Sequence, residues 1–350
     1  MNAAPEVVTR VHYNPGVATS GTVLAADVGG TKTLLGLFEC GARRPRPLLV
    51  RSYPTAAFAS FTDILMAFAA DAGGPLRVDA AGVGAAGPVV DRRARLTNIV
   101  WDISAHEIGA HLGIERAGLL NDLTAIATSA DVLTPEELAP LQAGTRRADG
   151  NAAVIAAGTG LGVAFLHRLG GRLHPMASEG GHADFAPRTD REIELLRMLR
   201  AEYGRAEVEH VLSGPGLVHV HRFTHGPEAC AALRQVAPDD RAAAISQAAM
   251  TVQCPACVET LAIFVGVYGA EAGNLAVRGL ATAGVYLGGG IAPKILPLLR
   301  SATFLDAFRD KGAMSELVSQ VPVHVIVNAE AGLLGAAVYA QALLGSRARE

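Results

Sequence analysis

Lysine is almost missing from this chain: Lys32, Lys294 and Lys311 are the only three in 350 residues. With a formal net charge of −3, there is no polycationic field for nucleic acid or an anionic membrane. Cysteine is scarce too. Cys40, Cys230, Cys254 and Cys257 are too few and too scattered for a secreted disulfide framework. Long clean apolar runs are also absent: Leu261 to Ala270 is followed by Glu271, Asn274 and Arg278, well short of the ~20 residues needed to span a bilayer. Near the N-terminus, Glu6 and Arg10 fall where a signal peptide needs an unbroken apolar core. We read residues 1–20 as a short mobile leader, and expect a cytoplasmic protein with neither nucleic acid nor membrane as partner.

What is present points to a large folded core. Half the residues are hydrophobic, and a chain of this length typically buries ~75% of its unfolded surface. The length alone favours two domains. From Thr22 to Leu120, short β-branched runs alternate with one or two helices, among them the helical FTDILMAFAADAG. Thr134 to Gly150, rich in Pro, Gly and charge, reads as a loop. Two strands follow, then helices over Asp190–Tyr203, Gly216–Phe223, Arg241–Ala249 and Ala256 to about Gly279. Strand–helix alternation then returns, with a closing helix over Ala331–Leu344. The pattern predicts two α/β domains: a small one from residues 21–121 completed by 328–350, and a larger one from 122–327.

The 39 glycines cluster in turns where chemistry could sit. In LAADVGGTKT a strand ends in Asp27, and Gly29, Gly30 and Thr31 turn into another strand. Successive N–H groups in such a turn can form an anion nest, and Asp27 can hold a divalent cation, through water if it is Mg²⁺. A plain hairpin is the competing reading. AAGTGLG places Thr159 between Gly158 and Gly160, and LGGGIAPK carries Gly288, Gly289 and Gly290 into a turn where a nucleotide could lie against bare backbone. The spacing before Lys32 does not fit a Walker loop. An exact GxGxxG stands at Gly82, Gly84 and Gly87, but Pro88 and a strand-like run follow where a dinucleotide site needs a helix. Asn121 and Asp122 stand at a strand-to-helix junction, where Asp is also a common N-cap. Glu179, His182 and Glu209 flank further glycine turns, as loop solvation or as groups gripping hydroxyls.

In this order, DVGGTK, LTNIVW, LNDLTA, AAGTGLGVA, EGGHADFAP, LSGPGL, LGGGIAPK and AGLLGAA closely resemble the bacterial glucokinase family of the hexokinase–actin superfamily, over essentially Thr22 to Gly345. The resemblance implies a two-domain, ribonuclease H-like α/β fold with glucose and ATP in a cleft between the domains. It implies Asp122 as the general base, and Asn98, Asn121, Glu179, His182 and Glu209 as sugar-holding residues. Asp27, Gly29, Gly30, Thr31, Lys32, Gly158 and Thr159 correspond to phosphate and Mg²⁺ elements, with Asp27 toward the metal. Gly288, Gly289 and Gly290 correspond to the adenosine-side turn. A homodimer is implied as well. Phosphoryl transfer suits such a set, because it needs alignment and charge neutralisation more than covalent help.

Rival readings are a kinase of another hexose or aminosugar, a non-catalytic sugar-responsive regulator, and an NAD oxidoreductase resting on Gly82, Gly84 and Gly87. Cys254 and Cys257 form a single CxxC with no second pair at motif spacing, so no structural zinc is expected and both thiols read as helix packing. His219, His221 and His225 read as surface histidines, and Met250, Phe264 and Tyr268 as core.

Overall fold

The computed structural model describes residues 20–96, 101–226 and 230–345; the leader and Asn98 lie outside them. The described residues form two compact units, the first comprising those up to Leu133, Leu169–His174 and those from Asn328, the second those within Thr134–Arg168 and Pro175–Val327.

In the first unit, β1 (Thr22–Val28), β2 (Lys32–Glu39), β3 (Arg46–Pro54) and β4 (Ala80–Ala85) precede a small sheet of β5 (Val89–Val90), β6 (Arg93–Arg95) and β7 (Asp102–Ser104), and β8 (Ala117–Asn121) follows. The main sheet runs β3-β2-β1-β4-β8, with β1, β4 and β8 parallel and β2 and β3 antiparallel additions. Alternation along β1 fills both faces. Leu24, Ala26 and Val28 join Ile64, Leu65 and Phe68 of the helix Phe61–Asp71. Val23 and Ala25 pack with Leu333, Ala336 and Ala337 of the C-terminal helix Ala331–Gly345. The Phe61–Asp71 helix starts where Ser60 Oγ accepts the Asp63 N–H at 3.1 Å, and its buried positions recur at helical spacing.

Small residues let the C-terminal helix approach closely. A Cβ on Gly335 would overlap the Ala125 carbonyl oxygen, and one on Gly82 would overlap that of Ala336. Gly82 is therefore glycine for helix packing, and β5 rather than a helix follows Gly87. The GxGxxG is structural.

Apart from Leu169–His174, which count with the first unit, the second unit holds a six-stranded sheet of β9 (Leu138–Gln142), β10 (Ala152–Ala157), β11 (Leu161–Leu169), β12 (Arg172–Ser178), β13 (Gly284–Gly288) and β14 (Val323–Ile326), in the order β12-β11-β10-β13-β14-β9. Strand β9 lies inside the stretch expected to be a loop. It carries Pro140 and pairs with β14 through a register shift at Val323/His324, and an edge strand with a bulge is where a sheet tolerates proline. Helices Asp190–Tyr203, Gly214–His225, Arg241–Met250 and Pro255–Arg278 cover the sheet, with Phe264, Tyr268, Phe304 and Phe308 fully buried.

Pro255–Arg278 is long and apolar enough to cross a membrane, but 78% of its apolar window is buried within the unit, as in a core helix. The helix keeps Glu271 buried because this acid accepts hydrogen bonds from Asn274 at 2.8 Å and Arg278 at 3.0 Å.

Two readings of chemistry-bearing side chains need correction. His221 is 6% exposed, not a surface residue. The Cys254–Cys257 pair is not alone either: Cys230 brings a third thiol, and His221 and His225 lie beside that thiol. Spacing along the chain missed this because the partners arrive from separate helix ends.

Candidate active site

In the first unit, the parallel strands β1, β4 and β8 end side by side. Asp27 pairs in register with Gly84, and Gly84 with Leu120, so the end of β8 delivers Asn121 and Asp122 next to the acid of β1. Asn121 caps the helix Asp122–Ser129: its Oδ1 accepts from Leu123 N at 3.0 Å and Thr124 N at 3.4 Å. Its Nδ2 donates to the Gly87 carbonyl at 3.2 Å. Asp122 is therefore the first helical residue and not the cap. Its Oδ1 accepts from Leu123 N at 2.8 Å, which fixes the carboxylate at the positive end of the helix.

Burial, and then the charge of Asp122, push the Asp27 carboxyl up to about 6 while Lys32 opposes them. A Cβ on Gly332 would come within 2.5 Å of Asp27 Oδ2, so the start of the C-terminal helix closes on this acid.

The β1–β2 turn is held from outside. Gly29 N donates to the Lys32 carbonyl at 3.1 Å, and Thr55 N to the Thr31 carbonyl at 3.0 Å. Thr55 Oγ1 donates to the Gly29 carbonyl at 2.9 Å. The N–H groups of Gly30 and Thr31 have no acceptor among the described residues, and Thr31 and Lys32 are exposed. This turn can take an anion.

In the second unit the remaining residues gather around the β10–β11 turn. Gly158 N donates to the Gly160 carbonyl at 2.8 Å, and Gly214 N to the Gly158 carbonyl at 2.8 Å. The parallel neighbour β13 brings its turn alongside, with Ala156 paired to Gly288. Gly289 has φ +79°, and a Cβ there would overlap the Ala157 carbonyl, so only glycine lets the two turns touch.

Glu209 reaches the same turn: Leu161 N donates to its Oε2 at 2.7 Å. The Glu179–His182 turn packs on Leu161 as well, where a Cβ on Gly181 would overlap that residue's carbonyl. It is held to the Glu209 segment by Phe185 N donating to Ala206 O at 3.0 Å and Val208 N to Ala183 O at 2.9 Å.

His182 is oriented by a residue that the motifs did not pick out. Its Nδ1 lies 2.7 Å from Glu207 Oε2. That hydrogen bond, against a smaller opposing effect of burial and with help from Glu209, Glu207 and Glu179, raises the imidazole above its ordinary pKa. Holding Nδ1–H on the carboxylate presents Nε2 outward. The only hint in the sequence is the acid two residues before Glu209.

The structure thus brings Asp27, Gly29, Gly30, Thr31, Lys32, Asn121 and Asp122 together in one unit. It brings Gly158, Thr159, Glu179, His182, Glu209 and Gly288 to Gly290 together in the other.

The chain matches the family model described as Glucokinase over residues 24–343. It is 39% identical over 344 residues to the glucokinase of Synechocystis sp., covering 91% of this chain and 97% of that one. A solved glucokinase from an Antarctic psychrotroph is similar with TM-score 0.81 at 30% identity, covering 91% of this chain and 98% of that one. A ROK family glucokinase from Streptomyces griseus, solved in complex with glucose and AMPPNP, is similar in fold with TM-score 0.59 at 23% identity, covering 92% and 99%. These neighbours have the actin-like fold of sugar kinases expected from the motifs. By a family match spanning nearly its whole described length, and by relatives of this identity, the chain belongs to the glucokinase family.

Proposed function

We propose that this chain phosphorylates glucose on its 6-hydroxyl with ATP, in the cytoplasm, and that Asp122 is the general base. The observation that carries the assignment of Asp122 is its place at the junction: Asn121 is the helix cap, and Asp122 follows as the first helical residue with its carboxylate oriented by the Leu123 N–H at 2.8 Å. A carboxylate can serve here because the hydroxyl proton leaves as the O–P bond forms. Asn121 has one amide N–H beyond the one given to Gly87, and we assign that N–H to a sugar oxygen. Glu179, His182 and Glu209 hold the other hydroxyls as charge-assisted partners. Asn98 is retained among the sugar-holding residues on the resemblance alone.

The donor's phosphates fall to the turn at Gly29 to Thr31, with Lys32 beside it, and to Gly158 and Thr159. The adenosine side falls to Gly288 to Gly290. Mg²⁺ fits Asp27: burial first, and then the charge of Asp122, raise its pKa, a penalty that a cation would offset, and oxygen donors of this kind suit a hard dication. Asp27 would hold the ion through water. Bound with ATP, the ion supplies charge neutralisation on the phosphate oxygens.

A coupled assay with ATP, Mg²⁺ and a panel of hexoses and aminosugars tests this reading. It predicts the highest kcat/KM for glucose. A clear preference for another sugar, or no turnover of glucose, contradicts it.

A further inference from the structure

Away from the residues assigned to glucose and ATP, the end of the helix Gly214–His225, the residue Cys230 and the start of the helix Pro255–Arg278 bring three thiols and two imidazoles together. Cys230 Sγ lies 3.6 Å from Cys254 Sγ and 3.8 Å from Cys257 Sγ, and the three sulfurs lie within 4.8 Å of one another. A tetrahedral zinc with Zn–S bonds of about 2.3 Å holds its sulfurs about 3.8 Å apart. A disulfide needs about 2.0 Å, and all four cysteines of the chain are free.

Cys230 also belongs to a second triad, with ligand atoms of His221 and His225 again within 4.8 Å of one another. The two rings stack with centroids 5.2 Å apart. His221 Nε2 and His225 Nδ1 are both buried, and neither has a hydrogen-bond partner. Leaving a buried polar nitrogen unpaired costs about 1–3 kcal/mol, and native structures rarely do so twice at one spot. A ligand that accepts the lone pair of one imidazole and the charge of the thiolates answers the sulfur spacing and satisfies one of these two nitrogens.

We propose that this cluster is a structural zinc site, with Cys230, Cys254 and Cys257 as thiolate ligands and one imidazole of the His221/His225 pair as the fourth. Soft sulfur with nitrogen in a closed set of four is the donor chemistry of structural zinc. On binding, the three thiol protons leave to solvent and no redox change occurs, so zinc retention weakens as pH falls.

The ion ties helix ends that also meet through the core and through Thr224 Oγ1, which donates to the Ala256 carbonyl at 3.0 Å. The same Gly214–His225 helix begins at the Gly158 turn, so the metal anchors the far end of an element that supports the candidate site. Sequence spacing alone pointed to packing thiols and no zinc, because it could not see Cys230 and the two histidines converge.

The test uses the full chain, expressed with zinc in the medium and purified under reducing conditions without chelator. Elemental analysis should find one zinc per chain, lost in Cys230→Ser and in Cys257→Ser. The combined change His221→Asn with His225→Asn should retain zinc only weakly. Because a variant could fail to fold, the unaltered chain is also stripped and loaded with cobalt(II). Thiolate-to-cobalt charge-transfer bands with intense visible bands should mark tetrahedral sulfur coordination. Sub-stoichiometric zinc in the reduced chain without such a spectrum overturns the proposal. So does mass spectrometry showing Cys230 joined to Cys254 or Cys257 in protein alkylated without reduction.

Discussion

His182 Nδ1 sits 2.7 Å from Glu207 Oε2, so an acid outside the recognised motifs sets the orientation of a residue inside one. The pair is partly exposed, with the His182 side chain 53% accessible, and such pairs contribute about 0–1 kcal/mol to stability. Its imidazolium form is favoured. That stabilising contribution is present below the ordinary histidine pKa near 6.5 and is lost as pH rises through the raised value in the folded state. Glu207→Gln should leave the melting temperature nearly unchanged, raise KM for glucose several-fold more than it lowers kcat, and move the pH-dependent limb of kcat/KM to lower pH. A pH profile that does not move contradicts the role given to Glu207.

Asp27 carries the same sign in a lower pH window. Its carboxyl is raised to about 6, so the folded chain holds the proton more tightly than the unfolded one. Stability without ligand therefore falls as pH rises from about 4 through about 6 and is level above that. The loss is on the order of 3 kcal/mol. Asp27→Asn should remove most of this slope and raise the melting temperature of the ligand-free chain at pH 7, while kcat with Mg-ATP collapses. Thermal melts between pH 4 and 8 decide it: an unchanged slope contradicts the account of Asp27.

Gly335 and Gly82 test the packing beneath the first-unit residues. Adding a methyl at either should force the C-terminal helix off its neighbours and cost about 1–3 kcal/mol or more, as overpacking does. Gly82→Ala should therefore lower the melting temperature, and the parent chain should show no NADH binding by fluorescence. Saturable NADH binding lost in Gly82→Ala would restore the dinucleotide reading.

Most of the fold was legible because the strands that carry the first-unit residues are short apolar runs ending in glycine or an acid, as β1 does at Asp27. What escaped was set by contacts distant in sequence. Strand β9 was hidden by Pro140, whose place in a sheet depends on β14, almost two hundred residues later. Glu207 acts through a bridge between its own residue and Asp184, which no local pattern announces. The cap at the junction of β8 and the helix Asp122–Ser129 was ambiguous between Asn121 and Asp122, since both residue types cap helices, and only the hydrogen bonds to Leu123 and Thr124 assign it.

Asn121→Ala follows from that assignment. Losing the cap typically costs about 1 kcal/mol, and the Gly87 contact goes with it. We expect a lower melting temperature, a weaker KM for glucose and a kcat reduced less than in any variant of Asp122. A kcat loss equal to that of Asp122→Asn, with stability unchanged, would move the chemistry to Asn121.

The most direct measurement is the kcat of Asp122→Asn, taken with glucose affinity and melting temperature on the same preparation. The substitution keeps the shape and can still accept the Leu123 N–H, but it cannot take the hydroxyl proton. The account predicts a kcat lower by about 10²–10⁴, with glucose binding weakened far less and the fold intact. A folded variant that turns over glucose at a near-normal rate would contradict Asp122 as the general base.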